Sequence, residues 1–211
     1  MQIGFIDHYD SFSHNLIDWL LGLDPSLKLL YARWDVPHEL DQIRRSNVPI
    51  VVSPGPGSPE AVVPTLNLLK ESVGVRPVLG VCLGHQILGR VLNIAIKRVH
   101  RPVHGSTVLV EKSSQPSRTL VGMPQTFYAA VYNSLCLDVA EGESRPKSSH
   151  DLGWVVTARA QDGQVMGIET TSGPLAAGLQ FHPESFLSGD TSPVGRAWLA
   201  ECRRWDQRSK S

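Results

Sequence analysis

Three cysteines in 211 residues are too few, and odd in number, to staple a chain of this size. A disulfide framework is excluded as the source of stability, and each thiol is free to be read singly. Charge of one sign is lacking as well: 20 basic and 20 acidic residues give a formal net charge of zero. With no basic excess to neutralise phosphates, no nucleic acid is expected as a partner. The uninterrupted apolar stretches fall far short of the roughly 20 residues that span a bilayer, so no membrane is expected either. Met1 to Asp7 runs straight into a strand pattern, without the charged and apolar regions of a signal peptide. A reducing cytoplasm is the expected compartment. What is present is enough chain for one full core, and residues 1–211 read as one domain. No repeat, low-complexity tract or linker divides them.

The first half alternates between short apolar runs and helical patterns. Gln2 to Asp7, Leu27 to Ala32, Pro49 to Val52 and Pro77 to Val81 read as strands. Ser11 to Leu21, His38 to Arg44, and Pro64 to about Ser72 read as helices, the first with Asp10 or Ser11 as N-cap and the last with proline in its first turn. The alternation predicts an α/β fold, a largely parallel open sheet flanked by helices. From Ile96 the character changes. Val108 to Glu111, Phe127 to Tyr132, Trp154 to Arg159, Val165 to Glu169 and Ala177 to Phe181 suggest further strands with antiparallel pairing, mostly extending the sheet. Pro193 to about Trp205 closes the chain as a helix, and the polar stretch from Ala140 to Asp151 reads as a mobile loop.

The chemistry concentrates at strand ends. Gly80-Val81-Cys82-Leu83-Gly84-His85-Gln86 follows a strand and opens a helix-like stretch from His85 to Leu92. Gly-x-Cys-x-Gly is the thiol form of the nucleophile elbow: small residues let the chain turn tightly and push one side chain into the open. A helix starting at that residue aims its amides and dipole at a thiolate or a developing oxyanion. Gln180-Phe181-His182-Pro183-Glu184-Ser185 offers a base and a carboxylate two residues apart. Ser53-Pro54-Gly55-Pro56-Gly57-Ser58-Pro59 is a third loop after an apolar strand. A lone cysteine in a glycine-rich turn is more often a small buried residue than a nucleophile. Three such loops would meet at one edge of a parallel sheet, where open α/β folds hold their sites. Cys82, His182 and Glu184 then read as a catalytic triad. Cys136 and Cys202 lack such surroundings and read as structural.

With these residues in view, the chain resembles the class I glutamine amidotransferases, and within them the small subunits of anthranilate synthase and aminodeoxychorismate synthase. The matching strings are Ile6-Asp7-His8-Tyr9-Asp10-Ser11-Phe12, Ser53 to Gly57, the Cys82 elbow and His182 to Ser185. The resemblance implies glutamine as substrate, no cofactor, and a chorismate-binding synthase chain as partner. It implies an oxyanion hole from the amides of Leu83 and Gly57, with Gly55 and Gly57 leaving room for substrate. It further implies that Gln86 contacts the glutamine and that the backbones of Ser134 and Leu135 grip its amino-acid end. No histidine spacing suits a metal, His8, His104 and His150 included. The chain departs from the resemblance at His8, where Asn is commoner, at Val131-Tyr132-Asn133 in place of Arg-Tyr-His, and at His104-Gly105-Ser106 in place of His-Gly-Lys. Alternatives stay open here: the amidotransferase subunit of another synthase, a free-standing γ-glutamyl hydrolase, or a binding subunit without activity.

Overall fold

The computed structural model describes residues 1–99, 105–145 and 152–209. Its parallel half begins with β1 (Gln2–Asp7), α1 (Ser13–Leu23), β2 (Lys28–Arg33), α2 (Pro37–Ser46), β3 (Ile50–Val52), α3 (Val63–Ser72), β4 (Val78–Val81) and α4 (Leu83–Val91). A single turn of 3₁₀ helix, Pro59–Ala61, precedes α3. The predicted elements are present, with ends shifted by a few residues. Neither Asp10 nor Ser11 caps α1: Phe12 holds that position, while Asp10 Oδ1 accepts the Phe12 amide at 2.8 Å and so shapes the turn before it.

Then follow β5 (Ala95–Arg98), β6 (Ser106–Lys112), β7 (Thr126–Val131), β8 (Leu135–Asp138), β9 (Trp154–Ala160), β10 (Val165–Thr170), β11 (Ala176–Leu179) and α5 (Ser192–Ser209). Among the described residues the main sheet runs β2-β1-β3-β4-β11-β10-β9-β6-β7. Pairs from β2 to β11 are parallel, and pairs from β11 to β7 are antiparallel. β11 is therefore mixed, parallel to β4 on one side, as its loop at the shared edge requires, and antiparallel to β10 on the other, as the later strands were expected to pair. β5 and β8, absent from the sequence reading, pair with each other as a separate two-stranded sheet. Of the expected loop at 140–151, residues 146–151 lie outside the described residues; Arg145 pairs with Trp154 across an isolated bridge.

The strands nearest the chemistry are buried on both faces, as parallel strands between helices must be. Successive side chains alternate. Phe5 joins Leu16, Leu20 and Trp198 beneath α1 and α5, while Ile6 joins Ile43, Leu68 and Ile87 beneath α2, α3 and α4. Glycine lets α4 lie flat on the sheet. A Cβ at Gly80 would stand 2.3 Å from the Gly84 carbonyl oxygen, and one at Gly178 2.6 Å from His85 Nδ1. Because β3, β4 and β11 are neighbours, the loops after all three open on one edge.

Candidate active site

Cys82 stands where β4 gives way to α4, at φ 52° and ψ −102°. That conformation strains an L-residue by roughly 1–3 kcal/mol and persists only where its surroundings enforce it. Here they do. The Cys82 amide donates to the Leu179 carbonyl at 2.8 Å, and its own carbonyl accepts the Gln86 amide at 3.1 Å. On the far side of the turn a Cβ at Gly84 would meet the Val52 carbonyl oxygen at 2.5 Å. Leu83 is the first residue of α4, so its amide has no partner within the helix.

His182 leaves the end of β11 and is tied to β7: its amide donates to the Ala130 carbonyl at 2.9 Å, and its own carbonyl accepts Ser188 Oγ at 2.6 Å. The side chain is buried with that of Glu184, whose Oε1 lies 2.7 Å from Nδ1. A carboxylate can only accept, so Nδ1 carries the proton and Nε2 is left toward Cys82. Two rings hold the imidazole edgewise, Phe12 at 5.3 Å and Tyr132 at 4.8 Å between centroids. Burial works hardest on this ring and lowers its pKa, but Cys82 and Glu184 together outweigh it and raise the pKa above the usual histidine range. Nε2 makes no hydrogen bond of good geometry, yet Cys82 lies close enough to act on the ring through a loose hydrogen bond as well as through charge. Such contacts commonly tighten only when substrate arrives.

Behind the sulfur runs a set of buried amides. Gln86 Nε2 donates to the Leu135 carbonyl at 2.9 Å and to Gln180 Oε1 at 3.2 Å; Gln180 Nε2 donates to Cys82 Sγ at 3.7 Å. Asn133 Nδ2 shares the Leu135 carbonyl at 3.0 Å. Gln86 thus spends both its N–H groups internally, leaving its oxygen for any ligand. Ser134 is exposed, and its carbonyl accepts the Val99 amide at 2.9 Å.

The Ser53–Ser58 loop is carried on His8. Ser53 Oγ accepts the His8 amide at 2.9 Å, and His8 Nε2 meets Thr65 Oγ1 at 3.0 Å beside the stacked ring of Trp34. Gly55 is required from below rather than by a substrate: a Cβ there would stand 2.4 Å from His8 Cβ and 2.7 Å from Leu83 Cδ2. Gly57 has open space around it and is required by its φ of +89°. Both reasons differ from the expected crowding of the substrate. Sequence reasoning missed Gln180, Phe12, Tyr132 and the supporting role of His8. All four stand within the motifs named above, but nothing in a string says which side chains turn inward.

Cys136 and Cys202 are buried, and burial pushes both thiols up. Among the described residues no cluster of three or more His, Cys, Asp or Glu is placed to hold a metal; His104 and His150 lie outside them. No helix among them is long and apolar enough to cross a membrane.

A strained cysteine at a strand–helix elbow, faced by a buried His–Glu pair from a neighbouring strand, defines an amide hydrolase of the amidotransferase type. The family model for class I glutamine amidotransferases matches residues 4–199, and the chain belongs to that family. It is 36% identical over 187 residues to aminodeoxychorismate synthase component 2 of Klebsiella aerogenes, covering 89% of this chain and 93% of that protein. Against aminodeoxychorismate/anthranilate synthase component 2 of Bacillus subtilis the identity is 32% over 203 residues, 96% of this chain and 98% of that protein. The bifunctional protein TrpGD of Thermotoga maritima is 34% identical over 195 residues, 92% of this chain, and the chain spans 31% of its length. Among solved structures, a glutamine amidotransferase from Thermotoga maritima matches in fold, with a TM-score of 0.68 at 17% identity over 100% of this chain and 85% of that one.

Proposed function

We propose that this chain is the glutaminase subunit of a two-chain synthase and that its partner binds and aminates chorismate. The observation that carries the chemistry is the 2.7 Å contact of Glu184 with Nδ1, on a ring whose other nitrogen is left for the strained Cys82. Cys82 passes its thiol proton to His182 Nε2 as Sγ adds to the carboxamide carbon of glutamine, forming a C–S bond and an oxyanion. The amide of Leu83, first in its helix, is the donor best suited to that oxyanion, with Gly57 as the second. Losing one such donor costs about 2.7–4 kcal/mol of barrier. Collapse breaks the C–N bond as His182 hands its Nε2 proton to the leaving nitrogen, releasing ammonia. Water then adds to the thioester, giving its proton back to His182, and the C–S bond breaks to release glutamate. Glu184 keeps the imidazole in one tautomer and balances its charge throughout. Chorismate as acceptor rests on the names borne by the Klebsiella and Bacillus relatives. A reducing cytoplasm suits the reaction, since Cys82 must remain a thiol.

The test separates ammonia production from its use. In the assembled complex, Cys82→Ser should abolish product formation from glutamine while keeping it at high ammonium and alkaline pH, read by product identification. Equal loss with both nitrogen sources, in a variant still bound to its partner, would sink the division of labour. Glutamate release by the isolated chain equal to that of the complex would favour a free-standing hydrolase.

A further inference from the structure

We infer that Gln180 is a further catalytic residue: its carboxamide donates a hydrogen bond to Cys82 Sγ that holds the sulfur in place and favours its ionised form. This rests on Cys82 being the nucleophile.

The two ends of a glutamine amide look alike, so which end faces a neighbour must be settled by the neighbours themselves. At Gln86 the neighbour is the carbonyl oxygen of Leu135, which can only accept. The nitrogen of Gln86 therefore points that way, and its second N–H reaches Gln180, 3.2 Å off. Gln180 must then present its oxygen to Gln86, and its nitrogen falls to the sulfur at 3.7 Å. Asn133 takes the other lone pair of the same carbonyl and is itself braced by Gln164 Oε1 at 3.1 Å, so the anchor cannot readily turn. Polarity is handed from a backbone carbonyl, through two side-chain amides, to the reacting atom.

Burial and backbone support the same reading. Gln180 has no exposed surface, and its amide donates to the Met166 carbonyl at 3.0 Å. It directly follows the last residue of the interior strand β11, and this backbone bond to β10 anchors the donor where the loop begins. A buried glutamine must find partners for its polar end, and an aliphatic residue would fill the space at less cost. Here one of those partners is the sulfur that must carry negative charge. A donor aimed at an ionised group favours that ionised form. His182 approaches Cys82 from a different side chain and exchanges protons with it; Gln180 cannot exchange a proton and acts by position alone.

The experiment measures the rate at which iodoacetamide alkylates Cys82 as pH is varied, followed on the Cys82 peptide by mass spectrometry. Only the thiolate reacts, so the inflection reports its ionisation. Gln180→Met keeps bulk and removes the donor. Its inflection should move up by about one pH unit, an approximately tenfold slower rate on the acid side with the high-pH plateau retained. Gln86→Met, which leaves the sulfur untouched but frees Gln180 to turn, should shift it the same way by a smaller amount, about threefold in rate. Folding of each is checked by circular dichroism, and the second variant decides if the first does not fold. An unmoved inflection in a folded variant overturns the proposal. An electrophilic glutamine analogue, applied to the unaltered protein, keeps the two readings apart. If it fails to label Cys82, the nucleophile assignment itself falls; if it labels Cys82 while the inflections coincide, only the role of Gln180 does.

Discussion

His8 and His85 are histidines that the fold keeps neutral. Burial brings His8 down to about 4 and His85 to about 3. The unfolded chain, with its histidines near 6.5, takes up those protons first, so stability falls as pH drops from about 6.5 towards 4 and then 3. His182 has the opposite sign: its raised pKa contributes stability on the acid side that is lost as pH climbs through the raised value. His8→Asn should therefore flatten the acid limb of a stability profile by roughly 3 kcal/mol between pH 6.5 and 4, at 1.36 kcal/mol per unit. Urea titrations at a series of pH values measure this; an unchanged slope would mean His8 is protonated in the fold. At this scale the sequence was most legible where chemistry and turn punctuation coincide, at Cys82, His182 and Glu184. It was least legible for amides. The resemblance implies that Gln86 contacts the substrate, but nothing in the sequence tells that both its N–H groups go to Leu135 and Gln180, leaving its oxygen for a ligand.

The elbow is the element on which the site depends, and its glycines fail for a steric reason. At Gly84 an added methyl group meets the Val52 carbonyl oxygen at 2.5 Å, backbone on both sides, with nothing free to yield. Gly84→Ala should cost roughly 3 kcal/mol or more, the upper end for overpacking. Gly22 in α1 offers the contrast, with no atom within 4 Å of an added Cβ. Gly22→Ala should stabilise by about 0.4–1 kcal/mol by restricting the unfolded chain. Urea midpoints of the two variants, read together, check the pair of signs. The elbow could be read from its glycines, α3 from the proline in its first turn, and the buried strands because each is a short apolar run bounded by turn residues. β5 and β8 could not. Ala95–Arg98 is four residues long and mostly exposed, and Leu135–Asp138 is as short, so neither shows a period long enough to recognise.

Across the whole molecule, protection should follow place in the sheet. Among the described residues β1, β3, β4 and β11 have partners on both sides, β2 and β7 are the edges, and β5 and β8 pair only with each other. Amide hydrogen exchange followed by mass spectrometry should find the first group opening only with global unfolding, and the edges and the small sheet opening sooner. Uniform exchange would contradict this ranking. The strand order itself was not legible. Ala176–Leu179 is a four-residue apolar run, and such a run carries no mark of direction or neighbour. Only the fold reveals that it lies parallel to β4.

That placement has a consequence in time. A ribosome delivers the chain from its first residue to its last, so Cys82 emerges 100 residues before His182. β11 fills the place between β4 and β10, and among the described residues the β10–β9–β6–β7 strands join the parallel strands of the sheet through it. Until then the thiol has neither its base nor the buried amide at its back, and behaves as any cysteine does in water. Reactivity is thereby withheld from the nascent protein. With the roles proposed for Cys82 and His182, a chain stalled before β11 would release no ammonia, because the strand that joins the two halves of the sheet also brings the histidine.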